Sequence, residues 1–334
     1  MKSGKRTILF DKGVYIASSG SVAGKKEAEG PLGNTFDEVI MDDLAGTDSW
    51  EKAESAFLKK AISKCMENAN RKTDDICVLL SGDLNAQIIS SGFAARDLGV
   101  PFLGLYGACS TMVEGLLVAS ILVSTECTVN AVASASSHFC SAERQFRTPL
   151  ELGTQRPPSA QWTATAAGAC LLERKKSNVR IEGGTIGRVI DLKIKDVSHM
   201  GAAMAPAVYD TLIGHLQDTG KSIDDFDRIV TGDLGIYGCE ILCELIRRKT
   251  GRDYRDKVFD CGAHLYDASQ DTHAGGSGCG CIASVFSGYL LDQMKRGEIR
   301  RMLVLGSGAM MSLTSSLQGE SIPSVSYAVS VVRC

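Results

Sequence analysis

The stretch YGACSTMVEG, residues 106–115, sets a cysteine between a small-residue turn and the first turn of an apolar helix. The first N–H groups of a helix have no intrahelical partners and carry the positive end of its dipole. Both favour a thiolate at Cys109, and the thiolate is the nucleophilic form. Gly107 and Ala108 leave the approach to the sulfur narrow and unobstructed, and Ser110 and Thr111 can cap the helix. The other reading of Cys109 is a small hydrophobe at a helix crossing. Asp83 and Asp233 each follow a small-residue–glycine pair at the end of an apolar run. There a carboxylate caps the next turn or faces a pocket. Cys261, His264, His273, Cys279 and Cys281 form the densest His/Cys group, but their spacing matches no common zinc module, and no metal is expected.

The elements that must position these residues come in two copies. TDDICVLLSGDL (73–84) and IDDFDRIVTGDL (223–234) align without a gap, so that Asp74, Gly82 and Asp83 match Asp224, Gly232 and Asp233. Helical patterns precede them at 50–68 and 205–218. The turn and apolar helix at 107–123 correspond to GGSGCGCIASVFSGYLL at 275–291. Each helix leads to a buried strand (129–137, 301–309), and each half closes on another (163–174, 325–334). Each half reads β-α-β-α-β-β, with near-continuous apolar strands suited to a mainly parallel sheet covered on both faces. The expected architecture is an α/β layered sandwich of two similar halves, 1–176 and 177–334, around a central helix pair. The polar stretch 137–161, with Arg144, Arg147, Arg156 and two adjacent prolines, shows no period and reads as a long functional loop.

The totals exclude several classes. A net charge of −3 gives no nucleic-acid footprint. The start has a basic flank without an apolar stretch, so no secretory signal is expected. The longest uncharged apolar run, 115–125, is too short to span a bilayer. Twelve cysteines spread over 334 residues without a CxxC pair point to reduced thiols.

The duplicated plan, with a cysteine opening the first central helix, resembles the thiolase superfamily, whose members form an acyl-thioester on that cysteine. Further motifs are GxxxGKKEAEGPLG (20–33), SGDLNAQ (81–87), PFLGLYGACST (101–111), SSHFCSAERQFRTP (136–149), MGAAMAPA (200–207), TGDLGIYG (231–238) and AGGSGCGC (274–281). Together they resemble the thiolase-like stage V sporulation protein AD family of spore-forming bacteria. That resemblance implies a protein that binds dipicolinic acid, a pyridine dicarboxylate that chelates calcium, and helps move it into the developing spore. It also implies membrane proteins of a spore channel as partners, a peripheral position on the core side of the spore inner membrane, and a homodimer paired through the first-half sheet.

The superfamily's reaction needs a histidine as well as the thiol. TGDLGIYG has none where condensing enzymes carry one. Thr272 occupies a second histidine position, with His273 one residue along, and GSGAMM (306–311) lacks the thiolases' second cysteine. Binding is therefore the expected use of the pocket, with Cys109 a relic nucleophile position and no cofactor beyond calcium carried by the ligand. The candidate ligand-binding residues are Cys109, Ser136, His138, Arg147, His199, Asp83 and His273. The competing readings are an acyl-thioester enzyme using Cys109 with His273 or His138, and an adaptor that keeps the fold only to hold membrane partners.

Overall fold

The computed structural model describes residues 2–146 and 155–334. Ten strands carry the architecture: β1 (Thr7–Gly24), β2 (Leu79–Gly82), β3 (Phe102–Gly104), β4 (Asn130–Ser137), β5 (Ala166–Glu173), β6 (Val179–Thr185), β7 (Arg228–Thr231), β8 (Val258–Asp260), β9 (Arg301–Ala309) and β10 (Ser324–Arg333). Their hydrogen-bonded order is β8-β7-β9-β10-β6-β1-β5-β4-β2-β3. Read outward from the centre, β1-β5-β4-β2-β3 and β6-β10-β9-β7-β8 are the same sequence of strands shifted by five. The two sets join because β1, 18 residues long, pairs with β6 through its first part and with β5 through its second, with register breaks between Leu9 and Val14 and between Ile16 and Ser18. The 176/177 division falls in the turn between β5 and β6.

The sheet is mixed where a mainly parallel one was expected. Pairing is parallel at each outer end and antiparallel through the middle. The outer strands are linked through helices, which a parallel crossover needs. The strands that close each half, β5 and β10, return without such a crossover and run antiparallel. The sequence reading also passed over β1 and the edge strands β3 and β8. The edge strands span three residues each, too short to show a period.

Seven helices matter for the site: α1 (Trp50–Asn68), α2 (Ile89–Leu98), α3 (Thr111–Ser124), α4 (Phe139–Phe146), α5 (Met200–Thr219), α6 (Gly235–Thr250) and α7 (Cys279–Val285). α7 runs on through a π-turn at Phe286–Leu290 into Leu291–Arg296. α1 lies on the first-half strands and α5 on the second-half strands. α3 is the layer between them. Leu117 meets Gly184 of β6, Val113 meets Gly306 of β9, and Gly115 faces Ala133 of β4. A helix clasped on two sides must be apolar around most of its circumference, and α3 buries Met112, Val113, Leu116, Leu117, Ala119 and Val123. α7 repeats the arrangement, with its Ala283 carbonyl against Gly168 of β5 and Ile282 beside Gly232. β4 and β5 are buried at every position, as strands covered on both faces must be.

α4 corrects the reading of 137–161 as aperiodic. Phe139, Ala142 and Phe146 give it a one-sided stripe, but eight residues are too few for the period to stand out. Arg144 on this helix pairs with Glu51, and Arg156 pairs with Asp271. Arg147 lies outside the described residues.

Candidate functional site

The chain from β3 into α3 is a turn of small residues that closes on itself. Ala108 sits at φ 50°, the left-handed region that a side chain seldom occupies. Ser110 Oγ donates to the Gly107 carbonyl at 2.6 Å. Thr111 Oγ1 donates to the Ala108 carbonyl at 2.7 Å and accepts from Gly107 N at 3.2 Å. Neither hydroxyl caps the helix, as had been expected; both tie the turn together. Gly308 of β9 packs against this turn so closely that a Cβ there would lie 2.0 Å from the Gly107 oxygen. The turn is thereby fixed, and Cys109 with it.

Cys109 is on the floor of a pocket of about 170 Å³. Tyr106, Phe146, Met200, Met204 and Met311 supply apolar wall, and Gln161, Ser277, Ser198 and Glu143 supply polar groups. The second half reaches the floor through a short parallel pairing of Trp162–Thr163 with Gly276–Ser277. Gln161 Nε2 braces this junction, donating to the carbonyls of Asp233 and Gly276 at 2.8 and 2.7 Å. Among the described residues, no lysine, arginine or histidine lines the pocket.

Directly beneath Cys109 is Asp233, fully buried. Its carboxylate accepts from Gly278 N at 2.9 Å, Ser277 Oγ at 3.2 Å and Ser307 Oγ at 3.4 Å, and from the Cys109 thiol. Burial pushes Asp233 up to about 7, against the pull of these donors. The Cys109 thiol moves well above its ordinary value, first through burial and then through the Asp233 carboxylate. The expectation of a thiolate favoured by the helix N-terminus is therefore reversed. Burial and a neighbouring anion act in the same direction and outweigh the half-charge of a dipole.

The other expected site residues do not converge on this floor. Asp83, the repeat mate of Asp233, accepts from Asn85 N at 2.9 Å and Ser91 N at 2.7 Å, so it closes its own turn. Ser136 donates to Glu54, which Asn85 and Ser141 also satisfy. Burial, then the nearby Asp83, pushes Glu54 up to about 8. His138 stands on the far side of β4. Its Nε2 meets the Asp43 carbonyl at 2.8 Å, its Nδ1 accepts from Cys140 N at 3.2 Å, and its ring lies 5.6 Å from that of Trp50. It lines a second, polar pocket with Lys25, Lys26, Glu27 and Trp162, and burial pushes it below the ordinary histidine value. The repeat places His138 after the right strand, but the chain turns away there into α4. His273 sits at φ 52°, held by the Pro157 carbonyl at 2.8 Å and Asp271 at 3.1 Å. His199 is closer, between the pocket residues Ser198 and Met200, but its Nδ1 caps α5 by accepting from Ala202 N at 3.3 Å. No His/Cys/Asp/Glu group among the described residues is arranged to hold a metal.

Asp233 and Gln161 are the residues that sequence reasoning undervalued. Asp233 was visible as one of two equivalent strand-end aspartates. Only the packing of Ser277–Gly278 against Cys109 separates its role from that of Asp83. Gln161 carries no motif of its own.

A duplicated sheet enclosing two central helices, with a cysteine at the entry to the first, defines a thiolase-like fold. Solved structures agree on the fold. OleA of Xanthomonas campestris, crystallised with lauric acid and lauroyl-CoA, superposes with a TM-score of 0.63 at 15% identity, covering 97% of this chain and 100% of that one. The 3-oxoacyl-[acyl-carrier-protein] synthase III of Aquifex aeolicus gives 0.57 at 12% identity, covering 96% and 100%. The family is narrower than the fold. The profile described as Stage V sporulation protein AD (SpoVAD) matches residues 4–332. Stage V sporulation protein AD of Bacillus subtilis is 39% identical over 327 residues, 98% of this chain and 96% of that protein. The chain belongs to the SpoVAD family.

Proposed function

We propose that this chain is a non-catalytic thiolase-fold protein that binds dipicolinic acid in the Cys109 pocket and supports its entry into the developing spore. The observation that carries the reading is the pairing of Cys109 with Asp233. Acyl transfer needs a base to take the thiol proton and free N–H donors for the oxyanion. Here the group beside the thiol is a buried carboxylate that disfavours the thiolate, and the Gly278 N–H, which also reaches the thiol, donates to that same carboxylate at 2.9 Å. None of the described histidine hydrogen bonds reaches Cys109.

Size and wall chemistry support a small flat ligand. The pocket's 170 Å³ falls below the roughly 300–1,000 Å³ of drug-sized sites. Aromatic and thioether side chains form its walls, with a few hydroxyl and amide groups among them, which suits a single ring bearing polar substituents. Calcium travelling as the chelate would offset part of the ligand's negative charge. In this reading the chain works as a homodimer beside membrane proteins of a spore channel. Among the described residues, no helix is long and apolar enough to cross a membrane itself.

Calorimetric titration with dipicolinate, with and without calcium, tests the proposal. A saturable heat for the parent chain, lost in Ala309→Phe, supports it, because Ala309 lines the pocket and a phenyl ring there would fill it. An equal heat in Ala309→Phe would place the ligand elsewhere, and no heat in either would end the proposal. The acyl-thioester reading has its own check. Incubation with acyl-CoA should add no mass, whereas a stable adduct absent from Cys109→Ala would establish chemistry at the thiol.

A further inference from the structure

A pocket for a dianion should hold a cation, and the described lining of this one holds none. It has the Glu143 side chain at its wall and the Asp233 carboxyl under its floor. Among the described residues, the groups found around Asp233 are neutral or acidic. Cys109 comes from the turn before α3, Ser277 and Gly278 from the turn into α7, Cys279 and Cys281 from α7 itself, Cys261 from the residue after β8, and Ser307 from β9. The Asp260 carboxyl at the end of β8 adds like charge, and it is already satisfied by Thr231 Oγ1 and the N–H groups of Leu234, Gly235 and Ala263. Gln161 Nε2 donates to the Asp233 carbonyl and not to its carboxyl. The phenol of Tyr106 at the pocket wall is pushed by burial up to about 12, so it stays neutral.

An anion resting on Cys109 and Ser277 would face the Asp233 carboxyl across a single side chain. Like charges this close, away from water, are costly to keep together. The carboxyl can avoid the cost by taking a proton, and no lysine or arginine among its described contacts offers another way. We infer that occupation of the Cys109 pocket by a small dicarboxylate is coupled to uptake of one proton by Asp233. This rests on the reading of the pocket as an anion-binding site. The sign follows directly. The bound anion raises the proton affinity of Asp233. Where Asp233 is ionised in the free protein, binding draws a proton from solution and weakens as pH rises, by up to about tenfold per pH unit. Where Asp233 is already protonated, affinity does not depend on pH.

The test is calorimetry with dipicolinate from pH 6 to 8.5, in pairs of buffers with different ionisation heats. The probe is fully ionised throughout that range. The parent chain should take up close to one proton per ligand at pH 8 and close to none at pH 6, with affinity falling above neutrality. Asp233→Asn should bind at least as tightly at pH 8, without proton uptake or pH dependence. His199→Gln should keep the parent's pH dependence, which separates Asp233 from the histidine that flanks the pocket. Binding that releases or absorbs no proton at any pH would overturn the coupling while leaving the binding reading intact. A pH dependence that survives in Asp233→Asn or disappears in His199→Gln would also overturn it. Absence of binding at every pH would remove the reading beneath it as well. The parent's proton count decides the matter even if Asp233→Asn does not fold.

Discussion

At the scale of single residues, the chemistry of Cys109 is set by what lies under it. A thiol facing a buried carboxylate is a weak nucleophile at neutral pH. Alkylation of Cys109 by iodoacetamide at pH 7.5 should therefore be slow and should rise with pH well beyond the ordinary thiol range. Asp233→Asn should speed it, because the anion beside the thiol is removed while its burial stays; an unchanged rate would show that Asp233 does not restrain the thiol. The Glu54 carboxyl makes a second prediction. It is held up to about 8 in the folded chain, against about 4.3 when exposed. The folded state therefore keeps a proton that the unfolded chain releases, and this contribution to stability is lost as pH rises from about 4 to about 8. Glu54→Gln should gain in melting temperature relative to the parent between pH 5 and pH 8. The comparison with the parent matters because His215, buried and pushed down to about 4, acts in the opposite direction. A constant difference between the two proteins across that range would mean that Glu54 is ionised throughout.

At the scale of elements, the site depends on close backbone approach. Gly308→Ala would drive a Cβ into the Gly107 carbonyl. It should cost about 1–3 kcal/mol in chemical denaturation and should alter the exposure of Cys109. Full stability in that variant would show that the turn is not clamped by β9. Leu116→Ala in α3, at a position with no exposure, should cost about 2–5 kcal/mol. These elements also show what could be read from the chain alone. The 150-residue shift between Asp74–Asp83 and Asp224–Asp233 is carried into the structure by matching turns at Thr73–Asp75 and Ile223–Asp225, because a strong local pattern needs no distant partner. The edge strands, α4 and the direction of His138 could not be read the same way. Each is settled by what packs against it from elsewhere in the chain. For the same reason the candidate residues Asp83, Ser136, His138 and His273 are spread over separate places rather than gathered around Cys109. The repeat fixes which strand a residue ends, but not which way the chain turns after it.

At the scale of the whole molecule, β3 ends one side of the strand order, and Leu103 stands exposed there, at 46%. An open edge bearing a large apolar side chain invites another strand. The expected homodimer would cover it, so light scattering after size exclusion should give twice the chain mass for the parent and the chain mass for Leu103→Asp. A parent that runs as a monomer at high concentration would exclude that assembly. On the proposed reading, the thiolase-like pocket binds a small dicarboxylate. The most direct test is a crystal structure of the chain with dipicolinate. Density for one ring should lie between Tyr106, Phe146 and Met204, above Cys109 and Ser277 and not bonded to the sulfur. Density confined to the polar pocket beside Lys26 and His138, or a covalent adduct on Cys109, would contradict the reading.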